Sequence, residues 1–204
     1  MNSNEKFALA GIEHEAFLLE LGNLTLAWSD IETVLFKLLK HYSEVSWPVA
    51  QALFSGTRAR NAINFIRAIA ENTEMEASRV QDLEEVFTQV LAINSLRDFV
   101  VHNVDGSEQE FEDLDPAKRY VSDSLRSSRK SKAKTYLVGS ATLAAMRHDC
   151  VECCWRLHPH WDPKNSPFQP GSGRGKREAW EFKPPALSQR RKRGWIGSAT
   201  TTKG

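Results

Sequence analysis

The chain has 204 residues, 41% of them apolar, with 27 Lys/Arg against 26 Asp/Glu for a formal net charge of +1. That is enough apolar material for one core and too much for a chain that stays unfolded throughout. No apolar run approaches the roughly 18 residues that cross a bilayer, and the first ten residues lack the basic-then-apolar order of a secretory signal. Three cysteines, all between Cys150 and Cys154, make a poor disulfide framework and suit a reducing compartment, so a cytoplasmic protein is expected.

The near-zero charge hides an asymmetry. From His158 to Gly204 there are ten Lys/Arg against three Asp/Glu, which leaves 17 against 23 in the preceding part. The body is mildly acidic and the tail basic.

Leu18, Leu21, Leu24, Trp28, Ile31, Leu35, Leu38, Leu39 and Tyr42 recur at steps of three and four and predict a first helix from near Ile12 to Tyr42. Gly22, which costs about 1 kcal/mol of helix propensity against alanine, marks a point for a bend or a break. After a turn at Glu44 to Ser46, Pro48 sits in the first turn of a second helix, where its missing N–H is harmless. Ser55-Gly56 interrupts that helix, and Thr57 is placed to cap a new segment carrying Ala59, Ile63, Ile66 and Ala70. Its basic residues Arg58, Arg60 and Arg67 form a solvated face and a reserve candidate for phosphate contacts. The next helix starts around Met75, carries Val80, Leu83, Val86, Phe87, Val90, Ile93, Leu96 and Val100, and ends at His102-Asn103 before the Asp105-Gly106 turn.

After Gly106 the chain becomes acidic and loop-like. Tyr120-Val121 and Thr135 to Val138 read as two short strands flanking a basic loop, Arg126 to Lys134, so a small β-hairpin is expected before the last helix. That helix runs from about Thr142 to Leu157 on a stripe of Leu143, Met146, Cys150, Cys153, Cys154 and Leu157. Beyond it Pro163, Pro167, Pro170, Pro184 and Pro185 forbid a continuous helix, and residues 158–204 read as a disordered basic Pro/Gly-rich tail. The predicted architecture is an all-α up-down bundle over residues 12–157.

The stretch Leu96 to Asn103, LRDFVVHN, concentrates the chemistry. Arg97 and His102 form R-x4-H at the end of an apolar helix, and Asp98 lies four residues before His102, a surface neighbour able to orient the imidazole. Trp28, Ile31 and Glu32 add W-x2-I-E on the first helix. With the order of helices, these motifs resemble the HEPN superfamily of small all-helical domains, many of them metal-independent ribonucleases of toxin–antitoxin and antiphage defence systems. Where that family most often has asparagine after the arginine, this chain has Asp98.

The resemblance implies a homodimer with the motif helices face to face, no cofactor, RNA as substrate, and an antitoxin or regulatory protein as a further partner. Arg97, Asp98 and His102 are the expected catalytic residues. His102 would serve as base toward the ribose 2′-OH or acid toward the leaving oxygen, Arg97 would stabilise phosphorane charge, and Asp98 would orient His102. The alternative within the same fold is a non-catalytic module that binds RNA, a nucleotide or a protein.

Two further groups compete. Cys150, Cys154 and His158 align on one helical face as soft zinc ligands, with His148, Cys153 and His160 nearby, although the spacing matches no standard zinc module. Such a zinc-stabilised helical protein would have no role with nucleic acid. Arg126, Arg129, Lys130, Lys132 and Lys134, with Arg190, Arg191, Lys192 and Arg193, are candidates for RNA phosphates, and Trp180, Phe182 and Trp195 for base stacking.

Overall fold

The computed structural model describes residues 3–73, 75–103, 118–122, 135–165 and 179–184, and side chains within these except at 3–13, 103, 118–122 and 135–137. Helix α1 spans Ser3–Ser43, α2 Trp47–Phe54, α3 Ala59–Asn72, α4 Ala77–Asn103 and α5 Ser140–Trp161; strands β1 and β2 are Lys118–Ser122 and Thr135–Gly139. The fold is all-α with one small two-stranded addition.

Helix α1 is the spine. Its 41 residues pack most extensively along α5 and also on α3 and α2, while α4 closes the other side against α5 and α3. The apolar repeat explains this directly. Leu24, Trp28, Ile31, Leu35, Leu38 and Leu39 are almost fully buried, and so are Leu83, Val86, Phe87, Val90, Ile93 and Val100 of α4. Each such side chain contributes roughly 1.5–3 kcal/mol on burial. Two cross-links fix the relative direction of α1 and α5. Arg147 bonds Glu20 at 3.0 Å near one end, and Lys37 lies 4.6 Å over the Trp161 ring near the other, so the two helices run parallel.

Four local expectations change. Helix α1 begins at Ser3 instead of near Ile12, and it passes through Gly22 without a break, Phe17 and Leu24 being buried on either side of it. Thr57 does not cap α3: the N-cap residue is Arg58, which makes no side-chain cap bond. Leu18, placed in the apolar stripe, is half exposed, and Phe17 is buried in its place. The turn after α2 uses Gly56 at φ 76°, a left-handed conformation open to glycine without strain.

The hairpin takes the expected place. Strands β1 and β2 pair antiparallel with Tyr120 opposite Leu137 and Val121 opposite Tyr136. Val138 reaches the core, and β1 touches α4.

The expectation of a tail without structure from residue 158 does not hold for the described part. Helix α5 continues to Trp161 through Pro159, which stands late enough in the helix to remove a single bond of its final turns. Residues 179–184 then return to the bundle, where Phe182 is 2% exposed and joins the core. What holds them is a charged group inside the apolar stripe: the fully buried Asp149 accepts the backbone N–H of Glu181 at 3.0 Å and of Phe182 at 2.9 Å.

Candidate functional site

The motif lies on the last turns of α4, where the helix leaves the core. Val100 is fully buried, whereas Val101 and His102 are exposed. Arg97 points back into the bundle. Its guanidinium carbon stands 5.5 Å from the Trp28 ring centroid, a cation–π contact, and its Nη1 donates to Asp98 at 2.8 Å. Only 17% of the Arg97 side chain is exposed, and its buried Nε has no hydrogen-bond partner among the described residues.

Asp98 is oriented toward Arg97 rather than His102. One carboxylate oxygen accepts from Arg97, the other from Asn94 Nδ2 at 3.3 Å, and among the described residues no bond joins it to His102. The i,i+4 spacing permits an Asp98–His102 contact, but the adjacent guanidinium competes for the carboxylate with a permanent charge. The helix is regular through both motif residues, so five positions separate Arg97 and His102 by about 140° around the axis. They do not face one point within a single chain.

The W-x2-I-E residues connect to this group. Trp28 and Ile31 are buried core, and the Trp28 indole Nε1 donates to Glu32 Oε1 at 3.2 Å. One tryptophan thus carries Arg97 on its ring and a carboxylate on its edge. Glu32 in turn lines a cleft of about 680 Å³ between α1, α2 and the α2–α3 connection, together with Phe36, Lys37, Trp47, Phe54 and Arg58. Trp47 and Phe36 meet edge-on, their centroids 5.4 Å apart. No regular spacing announces this cleft. Its signal is composition: α2 is an apolar segment of which only Ala50 is fully buried, with Phe54 at the margin of the core and Trp47 half exposed.

The zinc alternative is not supported by the packing. Cys150 and Cys153 are fully buried in the apolar stripe, and no group of three His, Cys, Asp or Glu among the described residues is placed to hold a metal. Burial pushes all three thiols up, Cys154 to about 12, and it does so at Cys150 and Cys153 despite the opposing charges of Arg97 and Arg156 respectively. A thiolate ligand is therefore disfavoured at Cys150 and Cys154. His158 instead packs against the Trp161 ring at 4.6 Å.

The expected RNA-binding residues divide in two. Arg126, Arg129, Lys130, Lys132, Lys134, Arg190, Arg191, Lys192, Arg193 and Trp195 lie outside the described residues. Trp180 and Phe182 are described and are engaged within the fold, Trp180 under the Arg156 guanidinium at 4.7 Å and Phe182 in the core. Of the reserve arginines, Arg67 is taken by a two-bond pairing with Glu84 at 2.7 and 2.6 Å, while Arg58 and Arg60 remain exposed.

A buried polar network went unpredicted. Gln89 donates to Asp149 at 2.6 Å and to the Phe182 carbonyl at 3.2 Å; Arg156 donates to Glu85 at 2.9 Å and Asp82 at 3.2 Å; His160 Nε2 meets Asp82 at 2.9 Å. These bonds lock α4 to α5 beneath residues 179–184 and explain how three charged or polar groups of α5 are tolerated inside.

No family model, curated protein or solved structure matches the chain. Among the described residues, no helix is long and apolar enough to cross a membrane.

Proposed function

We propose that the chain is an RNA-cleaving helical protein of the HEPN type, active as a homodimer and independent of metal, with Arg97 and His102 as its catalytic pair. The observation that carries this reading is the division at the end of α4: Arg97 is held inside by Trp28 and Asp98, while His102 stands in solvent one turn on. Because the two residues face different directions on one helix, a phosphate touched by both calls for a second chain. Val101, an apolar side chain 41% exposed beside His102, suits a face that a second copy covers.

In such a site His102 removes the proton of a ribose 2′-OH. The oxygen attacks the adjacent phosphorus, the bond to the 5′-oxygen breaks, and that oxygen leaves with a proton from the partner histidine or water. Arg97 stabilises the charge on the phosphorane with the donors Asp98 leaves free. Asp98 acts as a positioning residue for Arg97. A toxin–antitoxin or defence setting, with an antitoxin or regulatory partner, follows from the family resemblance.

The second reading is a module of the same fold that binds RNA, a nucleotide or a protein without cleaving. The Arg97–Asp98 bond favours it, since part of the arginine's charge is already answered within the chain. The test is an RNA strand beside one with 2′-deoxyribose throughout. The ribonuclease reading expects cuts only in the RNA, with 2′,3′-cyclic phosphate and 5′-hydroxyl ends; cuts in both strands, or in neither, remove it.

A further inference from the structure

The cleft between α1 and α2 is separate from the catalytic pair, and its lining is unlike a gap left by imperfect packing. It is an open cleft of about 680 Å³, roomy enough for one flat ring laid against its wall. Its wall offers three kinds of group. Trp47, 49% exposed, keeps about half its surface open while the edge-on contact with Phe36 fixes the ring. Arg58, exposed at the start of α3, places a cation at the rim, and α3 has no acidic residue in its first turn to neutralise it. Glu32 supplies a carboxylate oxygen beyond the one that accepts from Trp28.

An ordered aromatic plane, a guanidinium and a hydrogen-bond acceptor together match the parts of a nucleotide: a flat base, a phosphate, and N–H groups on the base edge. A carboxylate repels phosphate, so in this reading Glu32 takes the N–H groups of the base edge and Arg58 takes the phosphate. The position also fits. Glu32 and Arg97 sit on the edge and the face of the same Trp28 indole, so the cleft and the motif arginine are neighbours through one side chain.

We propose that this cleft holds one unpaired base of an RNA strand, stacked on Trp47 with its phosphate on Arg58, and so determines where the strand lies relative to Arg97. The proposal rests on the RNA reading above. It does not require that the strand be cut.

The test uses the full chain and a short fluorescein-labelled single-stranded RNA of mixed sequence carrying 2′-fluoro groups, which has no attacking hydroxyl. Trp47→Ala is expected to weaken binding by between about 5- and 100-fold, with Trp47→Phe recovering most of it. Arg58→Gln is expected to lower the slope of log affinity against log salt by about 0.7, the loss of one phosphate contact on a single strand. Phe65→Ala, at a half-exposed ring of α3 outside the cleft, is the control and should bind as wild type. Full affinity and an unchanged salt slope in the Trp47 and Arg58 variants would overturn the cleft while leaving cleavage by Arg97 and His102 standing. Trp47-dependent binding without any cleavage of ordinary RNA would keep the cleft and remove the ribonuclease. Complete displacement of the strand by AMP at equal concentration would assign the cleft to a free nucleotide and overturn the strand reading. No binding of RNA at all would overturn both.

Discussion

The carboxylate of Asp149 accepts the backbone N–H of Phe182 at 2.9 Å across 33 positions of sequence. A fully buried acid on α5 thereby anchors a segment that carries no helix or strand of its own. Gln89 and the Glu181 N–H also donate to it, so the carboxylate meets three donors at 3.0 Å or less, with His148 Nδ1 at 3.4 Å from one of its oxygens.

Asp149→Asn retains the shape but loses the charge and turns one acceptor into a donor facing N–H groups. It should cost about 1–3 kcal/mol in urea denaturation and increase protease cutting at residues 179–184. Phe182→Ala should cost about 3–5 kcal/mol by the same measurement. Unchanged midpoints in both would mean that the segment does not dock in solution.

The buried thiols predict a pH dependence. Burial raises all three above the ordinary value of 9.0, Cys154 to about 12. The folded state thus keeps protons that the unfolded chain gives up. The thiols' contribution is fully present below pH 9 and is lost as pH rises toward 12. Tyr42, whose phenol burial also raises, acts in the same direction. Urea midpoints should hold up to about pH 9 and fall steadily from there to about pH 11, and at pH 8 Cys150 and Cys153 should resist a thiol reagent until urea opens the fold. Rapid labelling of both in the native protein would contradict the burial.

Gly22 stands exposed inside α1, and a Cβ there would meet nothing within 4 Å. Gly22→Ala should stabilise the protein by about 0.5–1 kcal/mol, read as a higher urea midpoint at unchanged slope. A loss of stability would show that α1 bends at this position.

Much of this bundle is legible in the sequence because its core is periodic. The repeats from Leu24 to Leu39 and from Leu83 to Val100 are long enough for the helical period to exceed any accidental pattern, and the same holds for Leu143 to Leu157. Residues 179–184 escape that logic. Six residues are too few to show a period, and the group that binds them, Asp149, looks from its type like a surface acid. The pair Trp180 and Phe182 amid prolines and glycines is the available signal, and by type alone such rings suit base stacking as well as a core. The site was legible to a lesser degree. Spacing finds Arg97 and His102 on one helix, yet Asp98 has both within reach by sequence, and only the side-chain geometry shows it turned to Arg97. The α1–α2 cleft depends on where the exposed rings of a short helix come to rest, which no local pattern encodes.

Arg156 offers a check on the network beneath that segment. Its side chain is 4% exposed and joins Asp82, Glu85 and the Trp180 ring. Arg156→Ala should destabilise by about 3–5 kcal/mol, since it leaves Asp82 partly buried with one donor fewer. Restoration by a second change, Asp82→Asn, would identify the uncompensated acid as the cause. A loss equal in the single and double variants would assign the effect to lost packing on Trp180.

The most direct measurement of the central claim is cleavage of a mixed cellular RNA pool in EDTA by the wild type, Arg97→Ala and His102→Ala, each first shown to be folded and of the same oligomeric state. The wild type should cut in the chelator and both variants should lose at least about 100-fold in rate, the scale of a lost general base or charge-stabilising group. Cleavage retained in either variant, or intact RNA with all three proteins, would contradict Arg97 and His102 as the catalytic pair.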